Sequence, residues 1–267
     1  MNFGKDEFTL ITAGSAQWHD LEVLKKGITE GSKINVVDQT EEWFCLIVTG
    51  PKSRNLMSKI SNADLELPWL SLQRVKILNK DVLLARVSYA GELGWEIHVR
   101  KQDLREVYDL VISEGATPFG MFALDSLRVE KGYRAWKGDL STDYTILESG
   151  LGRFIKFDKS QSFPGKEALL KEKQRGETKK FVTMIVEGNE CDAPYMSTVM
   201  FAGKIVGEVT SGAYGHRVGS SIALGMVIAD VAKPYQQVSI DIFGQSYNAI
   251  IQEPGPLWDS KNMALKS

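Results

Sequence analysis

The sequence predicts an α+β domain built on an antiparallel sheet with helices, followed by a small all-β barrel or sandwich. Three observations carry this expectation. Between Trp43 and Arg100, strand patterns meet in hairpins and are broken by helical stretches, which favours antiparallel pairing over a doubly wound sheet. No Gly-x-Gly-x-x-Gly follows a strand, so the chain carries no dinucleotide fingerprint. Beyond a charged stretch at 166–178, short strands recur with glycine-rich turns as far as Ile251, the pattern of a barrel or sandwich.

Taken in order, Phe8–Ala13 reads as a strand and Trp18–Ile28 as a helix with Trp18, Leu21, Leu24 and Ile28 on one face. Ile34–Thr40 and Trp43–Val48 read as strands, and Gly50-Pro51 opens a helix through Ile60. Leu72–Leu78, Val82–Ser88 and Trp95–Arg100 are strands, Leu104–Glu114 is a helix closed by Gly115, and Thr117-Pro118 opens another helix that carries Arg128. The second half offers strands at Lys180–Val186, Val199–Phe201, Lys204–Ser211, Ile222–Val227, Gln237–Ile242 and Gln245–Ile251. A chain of 267 residues suits more than one domain, and the expected division is a partial α+β subdomain at 1–32, an α+β domain at 33–165, a linker at 166–178 and a β-barrel domain at 179–267.

Composition narrows the function. A net charge of -2 leaves no excess of Lys and Arg to neutralise phosphates, which argues against a general nucleic-acid binder. Two cysteines, Cys45 and Cys191, make no disulfide framework, and His19, His98 and His216 lack the short spacing of a metal site, so no metal is expected. No apolar run reaches membrane-spanning length, and Met1 is followed by Asn2–Glu7 rather than an apolar signal core, so the cytoplasm is the default compartment.

The densest chemistry lies between Val82 and Arg134. Tyr89–Gly94 is a turn, and alternation beyond it sends Trp95, Ile97 and Val99 to one face of a strand and Glu96, His98 and Arg100 to the other. Asp125 and Arg128 share a helix face at i,i+3, with Gly132 placed to end that helix. From the residues alone, Glu96 is either a solvent-facing strand glutamate or a ligand. Arg128 is either a partner of Asp125 or Glu130 or a ligand.

Tyr-x-Gly-Glu-x-Gly-x-Glu (Tyr89–Glu96) followed by Asp-Ser-Leu-Arg-x-Glu-x-Gly (Asp125–Gly132) resembles the folate-binding core of the glycine-cleavage T-protein, or aminomethyltransferase, family. Tyr-Arg-Ala-Trp-Lys-Gly-Asp-Leu-Ser (Tyr133–Ser141) and Glu148–Lys159 are most similar to the folate-binding region of dimethylglycine and sarcosine dehydrogenases, and Thr210–Arg217 resembles a recurrent loop of the family's C-terminal domain. The resemblance implies the aminomethyltransferase fold, with a ferredoxin-like antiparallel sheet ahead of the small β domain.

It also implies tetrahydrofolate as cofactor. Glu96 then pairs with the pterin N–H donors, Tyr89 lies against the heterocycle, Arg128 grips the glutamate tail with Asp125 orienting it, and Trp136, with Tyr133 and Tyr144, lines the pocket. The implied reaction is one-carbon transfer to tetrahydrofolate, from an aminomethyl group on a lipoyl carrier protein or from an N-methylglycine-derived donor handled by a flavoprotein demethylase. The alternative is a catalytically impaired folate-binding or interaction subunit that needs a partner chain. In the family a further strand, bearing an aspartate beside the reactive folate nitrogens, precedes the point where this sequence joins the pattern. The expectation is therefore that this aspartate is missing, that Phe8–Ala13 presents an uncovered edge, and that residues 1–30 self-associate or dock a partner.

Overall fold

The structure, a computed structural model, describes residues 1–188 and 191–267. It resolves into two compact units, one of Met1–Pro118 with Asn262–Ser267, the other of Phe119–Lys261.

The first unit is built on four antiparallel strands, β1 (Trp43–Thr49), β2 (Leu72–Ile77), β3 (Lys80–Ala85) and β4 (Gly94–Arg100), in the order β1-β4-β3-β2. Its helices are α1 (Gln17–Lys26), α2 (Ser53–Ile60) and α3 (Leu104–Ser113). The expected alternation decides the layering. Trp95, Ile97 and Val99 of β4 pack with Val48 of β1 against Leu56, Met57 and Ile60 of α2 and Val107 and Val111 of α3. The opposite face of β1 and β4 carries Cys45, Glu96 and His98. The turn joining β2 to β3 is Leu78-Asn79, with φ of 51° and 61°. Positive φ at both central residues matches the strand twist of a tight hairpin, and asparagine tolerates that region better than most residues.

Two expected strands do not form. Phe8–Ala13 contributes one isolated bridge, Asn2 to Phe8, and the segment is held instead by Glu7 on Arg74 at 2.6 Å and by the Phe3 ring 4.7 Å from the Arg74 guanidinium. Ile34–Thr40 has no regular structure, and its polar groups are met locally by Asp38, which accepts from the Thr40 N–H at 3.0 Å and from Gln17 Nε2 at 2.8 Å. Both segments have strand-forming composition, but neither meets a free sheet edge among the described residues, and composition without an edge makes no strand. Phe8, Leu10, Ile11, Trp18 and Val23 are all exposed.

The second unit contains α4 (Met121–Glu130), α5 (Lys166–Arg175) and the strands β5 (Lys179–Val186), β6 (Thr198–Phe201), β7 (Lys204–Gly215), β8 (Ser220–Ile228), β9 (Gln237–Ile242) and β10 (Gln245–Ile251). These six close into a barrel in the order β10-β5-β8-β7-β6-β9, which removes every free edge. Inward side chains such as Met184, Val199, Val209, Ile240 and Ile251 fill it. A short α6 (Met263–Lys266) ends the chain in the first unit. The compact division falls at Pro118, well before the charged stretch at 166–178 that the sequence marks as a linker. That stretch begins as α5, whose Glu172 is buried and accepts from the Thr145 hydroxyl at 2.5 Å. Helix α4 groups with the barrel because its polar side chains bond barrel residues.

Candidate functional site

In the first unit, one carbonyl braces the turn between β3 and β4 by taking three donors. Leu93 O accepts from the Gly50 N–H at 2.8 Å, the Thr49 hydroxyl at 3.1 Å and the Ser53 hydroxyl at 3.2 Å. Gly91 holds φ of 76°, and a Cβ on Gly94 would stand 3.1 Å from Ser88 and Thr49, so both glycines are needed for the chain to reverse this tightly. Tyr89 heads the turn and is half-buried, and Glu96 follows it on β4 with its side chain one-quarter exposed. Glu96 Oε2 meets His98 Nε2 at 3.1 Å. Its other oxygen, Oε1, has no hydrogen-bond partner among the described residues.

Cys45 stands opposite His98 across the β1–β4 ladder. The residue is exposed, yet desolvation of its sulfur, followed by the Glu96 charge, pushes the thiol up to about 12. Sequence spacing put no metal-like cluster here. The ladder creates one, because the thiol, carboxylate and imidazole ligand atoms lie within 4.8 Å of one another.

In the second unit, Arg128 is buried on α4. Its Nε donates to Asp125 at 2.6 Å, Nη1 to Tyr133 O at 3.0 Å and to Asp139 at 3.2 Å, and Nη2 to the Ser211 hydroxyl at 2.9 Å. The second Nη2 proton meets no acceptor among the described residues. Asp139 is fully buried and is also bonded by Ser211, Thr210 and the Ala135 N–H. Two residues to either side of Arg128, Glu130 accepts from the N–H and Nε of Arg217, and Ser126 donates to Tyr214 O at 2.6 Å. The motifs at Asp125–Gly132 and Thr210–Arg217 thus meet as two halves of one bonding seam between α4 and β7. Trp136 is half-exposed, beside an isolated bridge to Leu140. Burial holds Arg134 below the usual arginine value, with Arg153 adding to that, and burial raises Tyr133.

Comparison with known proteins bears on both units. The GCVT N-terminal domain matches residues 1–159, and the glycine cleavage T-protein C-terminal barrel domain matches residues 179–259. The chain belongs to the glycine-cleavage T-protein family. Within it, the chain is 34% identical over 257 residues to mitochondrial dimethylglycine dehydrogenase of Rattus norvegicus, covering 93% of this chain and 30% of that protein. It is 30% identical over 242 residues to the aminomethyltransferase of Halothermothrix orenii, covering 89% of this chain and 67% of that protein. The chain therefore spans under a third of the dehydrogenase and about two thirds of the aminomethyltransferase. A crystal structure of glycine cleavage system aminomethyltransferase T from Bartonella henselae shares the fold, with a TM-score of 0.82 at 22% identity, over 92% of this chain and 67% of that one.

Of the four residues singled out from sequence, Tyr89 and Glu96 fall together in the first unit, and Arg128 and Trp136 fall in the second. Sequence reasoning missed Asp139, Ser211 and the Glu130–Arg217 pair. Asp139 lies 11 residues beyond Arg128, within the Tyr133–Ser141 motif, and Ser211 lies 83 residues beyond it, so only the family motifs hint that they belong together. Among the described residues no helix is long and apolar enough to cross a membrane.

Proposed function

We propose that this chain binds tetrahydrofolate and passes a one-carbon unit to it, drawn from an aminomethyl or N-methylglycine-derived donor. The observation that carries the reading is the Glu96 carboxylate: rigidly mounted on β4, one-quarter exposed, with one oxygen on His98 and the other without a partner among the described residues. A pterin edge presents adjacent N–H donors, and a carboxylate with an unused oxygen accepts them in charge-assisted hydrogen bonds. The donor set therefore fits the group.

Bound tetrahydrofolate supplies the nitrogen nucleophile that takes up the one-carbon unit. His98 holds Glu96 in its rotamer, and Tyr89, at the head of the braced turn, offers a flat face to the heterocycle. Arg128, in the second unit, keeps one Nη2 proton suited to a carboxylate, the role the family resemblance gives it, and half-exposed Trp136 keeps a face for an apolar contact. These residues orient the ligand, and orientation of this kind can supply much of a barrier reduction.

The proposed partners are a lipoyl carrier protein or a flavoprotein demethylase, matching the aminomethyltransferase and dehydrogenase relatives. The compartment we assign is the cytoplasm, where the two free thiols stay reduced. The test is to supply tetrahydrofolate with each donor system in turn and follow 5,10-methylenetetrahydrofolate. Formation with one donor, lost in Glu96→Ala, is the expected result. No product with any donor, at saturating tetrahydrofolate, counts against transfer.

A further inference from the structure

Three side chains with different metal-binding chemistry converge on one face of β1 and β4. Cys45 lies directly across the ladder from His98, and Glu96, two residues before His98, projects from the same face. One ligand atom from each lies within 4.8 Å of the other two. A surface glutamate beside a histidine is common and by itself says little. What distinguishes this pair is the thiol opposite it and the absence of a resident Lys or Arg, since His98 is the one ion-pair partner of Glu96 among the described residues.

The chemistry at the 3.1 Å contact is specific. A carboxylate offers only lone pairs, so His98 Nε2 carries the proton that joins the two side chains. A cation at that point replaces this proton and the thiol proton. The neutral imidazole shifts its one proton from Nε2 to Nδ1 as Nε2 takes the metal, so the single proton released in net, that of the thiol, passes to solvent.

We propose that Cys45, Glu96 and His98 bind a thiophilic divalent cation of the zinc class, and that the bound ion withdraws Glu96 from folate. The second half rests on the folate reading above. A thiolate and an imidazole select against magnesium and calcium, which prefer oxygen ligands alone. One thiolate and one carboxylate balance the charge of a divalent ion. Three protein ligands leave one coordination position open, as in zinc sites that keep a water. With metal–sulfur and metal–nitrogen bonds of about 2.3 Å and 2.0 Å, the three ligand atoms must close by roughly 1 Å, within reach of side-chain torsions on a fixed backbone. Because β1 is an edge strand and Cys45 is exposed, an ion reaches the site from solvent.

The test uses the full chain, reduced, titrated first with Co2+ as a coloured stand-in for zinc. Thiolate-to-cobalt charge-transfer absorption, saturating at a single equivalent, is expected in wild type and in Cys191→Ser. It should vanish in Cys45→Ser, and cobalt affinity should fall about tenfold or more in His98→Gln. Circular dichroism verifies that all three variants fold. Absence of the band in wild type, or its persistence in Cys45→Ser, overturns the site. Tetrahydrofolate titrations with and without Zn2+ then test the competition: zinc should weaken binding in wild type and leave Cys45→Ser unchanged. Equal folate affinity with and without zinc in a wild type that shows the band overturns the competition. A wild type that binds no folate even without metal defeats the folate reading, while the cobalt titration still decides the metal site.

Discussion

Burial alone raises the Glu148 carboxyl, but the Thr178 hydroxyl and the N–H groups of Thr145 and Lys179 outweigh it and hold the group below its ordinary value of 4.5. A carboxylate depressed by folding stabilises the native state above its unfolded value, and that stabilisation is lost as pH falls through the folded value. Glu148→Gln should therefore melt below wild type at neutral pH, with the gap shrinking as the pH is taken below about 4.5. A gap independent of pH would show that the charge contributes nothing. This network is not legible in the sequence, where Glu148 stands only as part of a family motif. Glu96 is the opposite case. Its alternation with Trp95 and Ile97 is enough to place it on the face of β4 away from the core, because period-two patterning is a local property. Its juxtaposition with Cys45 is not legible, since that depends on which strands pair and in what register.

Helix α4 is held to the barrel by polar bonds as much as by packing. Removing Arg128 leaves Asp139, which is fully buried, short of its charged partner. Arg128→Ala should cost about 3–5 kcal/mol in denaturant unfolding, the range for breaking a buried pair from one side. Asp125→Ala, at a carboxylate that is 42% exposed, should cost about 1 kcal/mol or less. Similar costs for the two would mean that the seam is not what anchors the helix. The barrel strands β9 and β10 fall where turn chemistry puts them, since Gly244 sits in the turn between them at φ of 82° and β9 alternates buried Val238, Ile240 and Ile242 with less buried neighbours. Phe8–Ala13 and Ile34–Thr40 mislead because β propensity describes a residue's fit to a half-buried pleated surface, and no such surface is offered there.

Across the whole molecule, stability is unevenly spread. Residues 29–40 carry neither helix nor strand and are mostly exposed, whereas 166–175 is helical with Glu172 buried. Trypsin under native conditions should cut first at Lys33, ahead of Lys171, Lys173 and Arg175, because cleavage needs local opening. First cleavage at 171–178 would support that stretch as the linker that its charge suggests. The two T-protein matches and the closed barrel account for the architecture, but the central claim is chemical: a single carboxylate on β4 recognises the pterin. Titration calorimetry with tetrahydrofolate, comparing wild type and Glu96→Gln, tests it most directly. Glutamine keeps the shape and one acceptor oxygen but loses the charge, so binding should weaken by roughly 1.5–3 kcal/mol. Equal affinity in the two proteins, or no binding by wild type, would contradict the account.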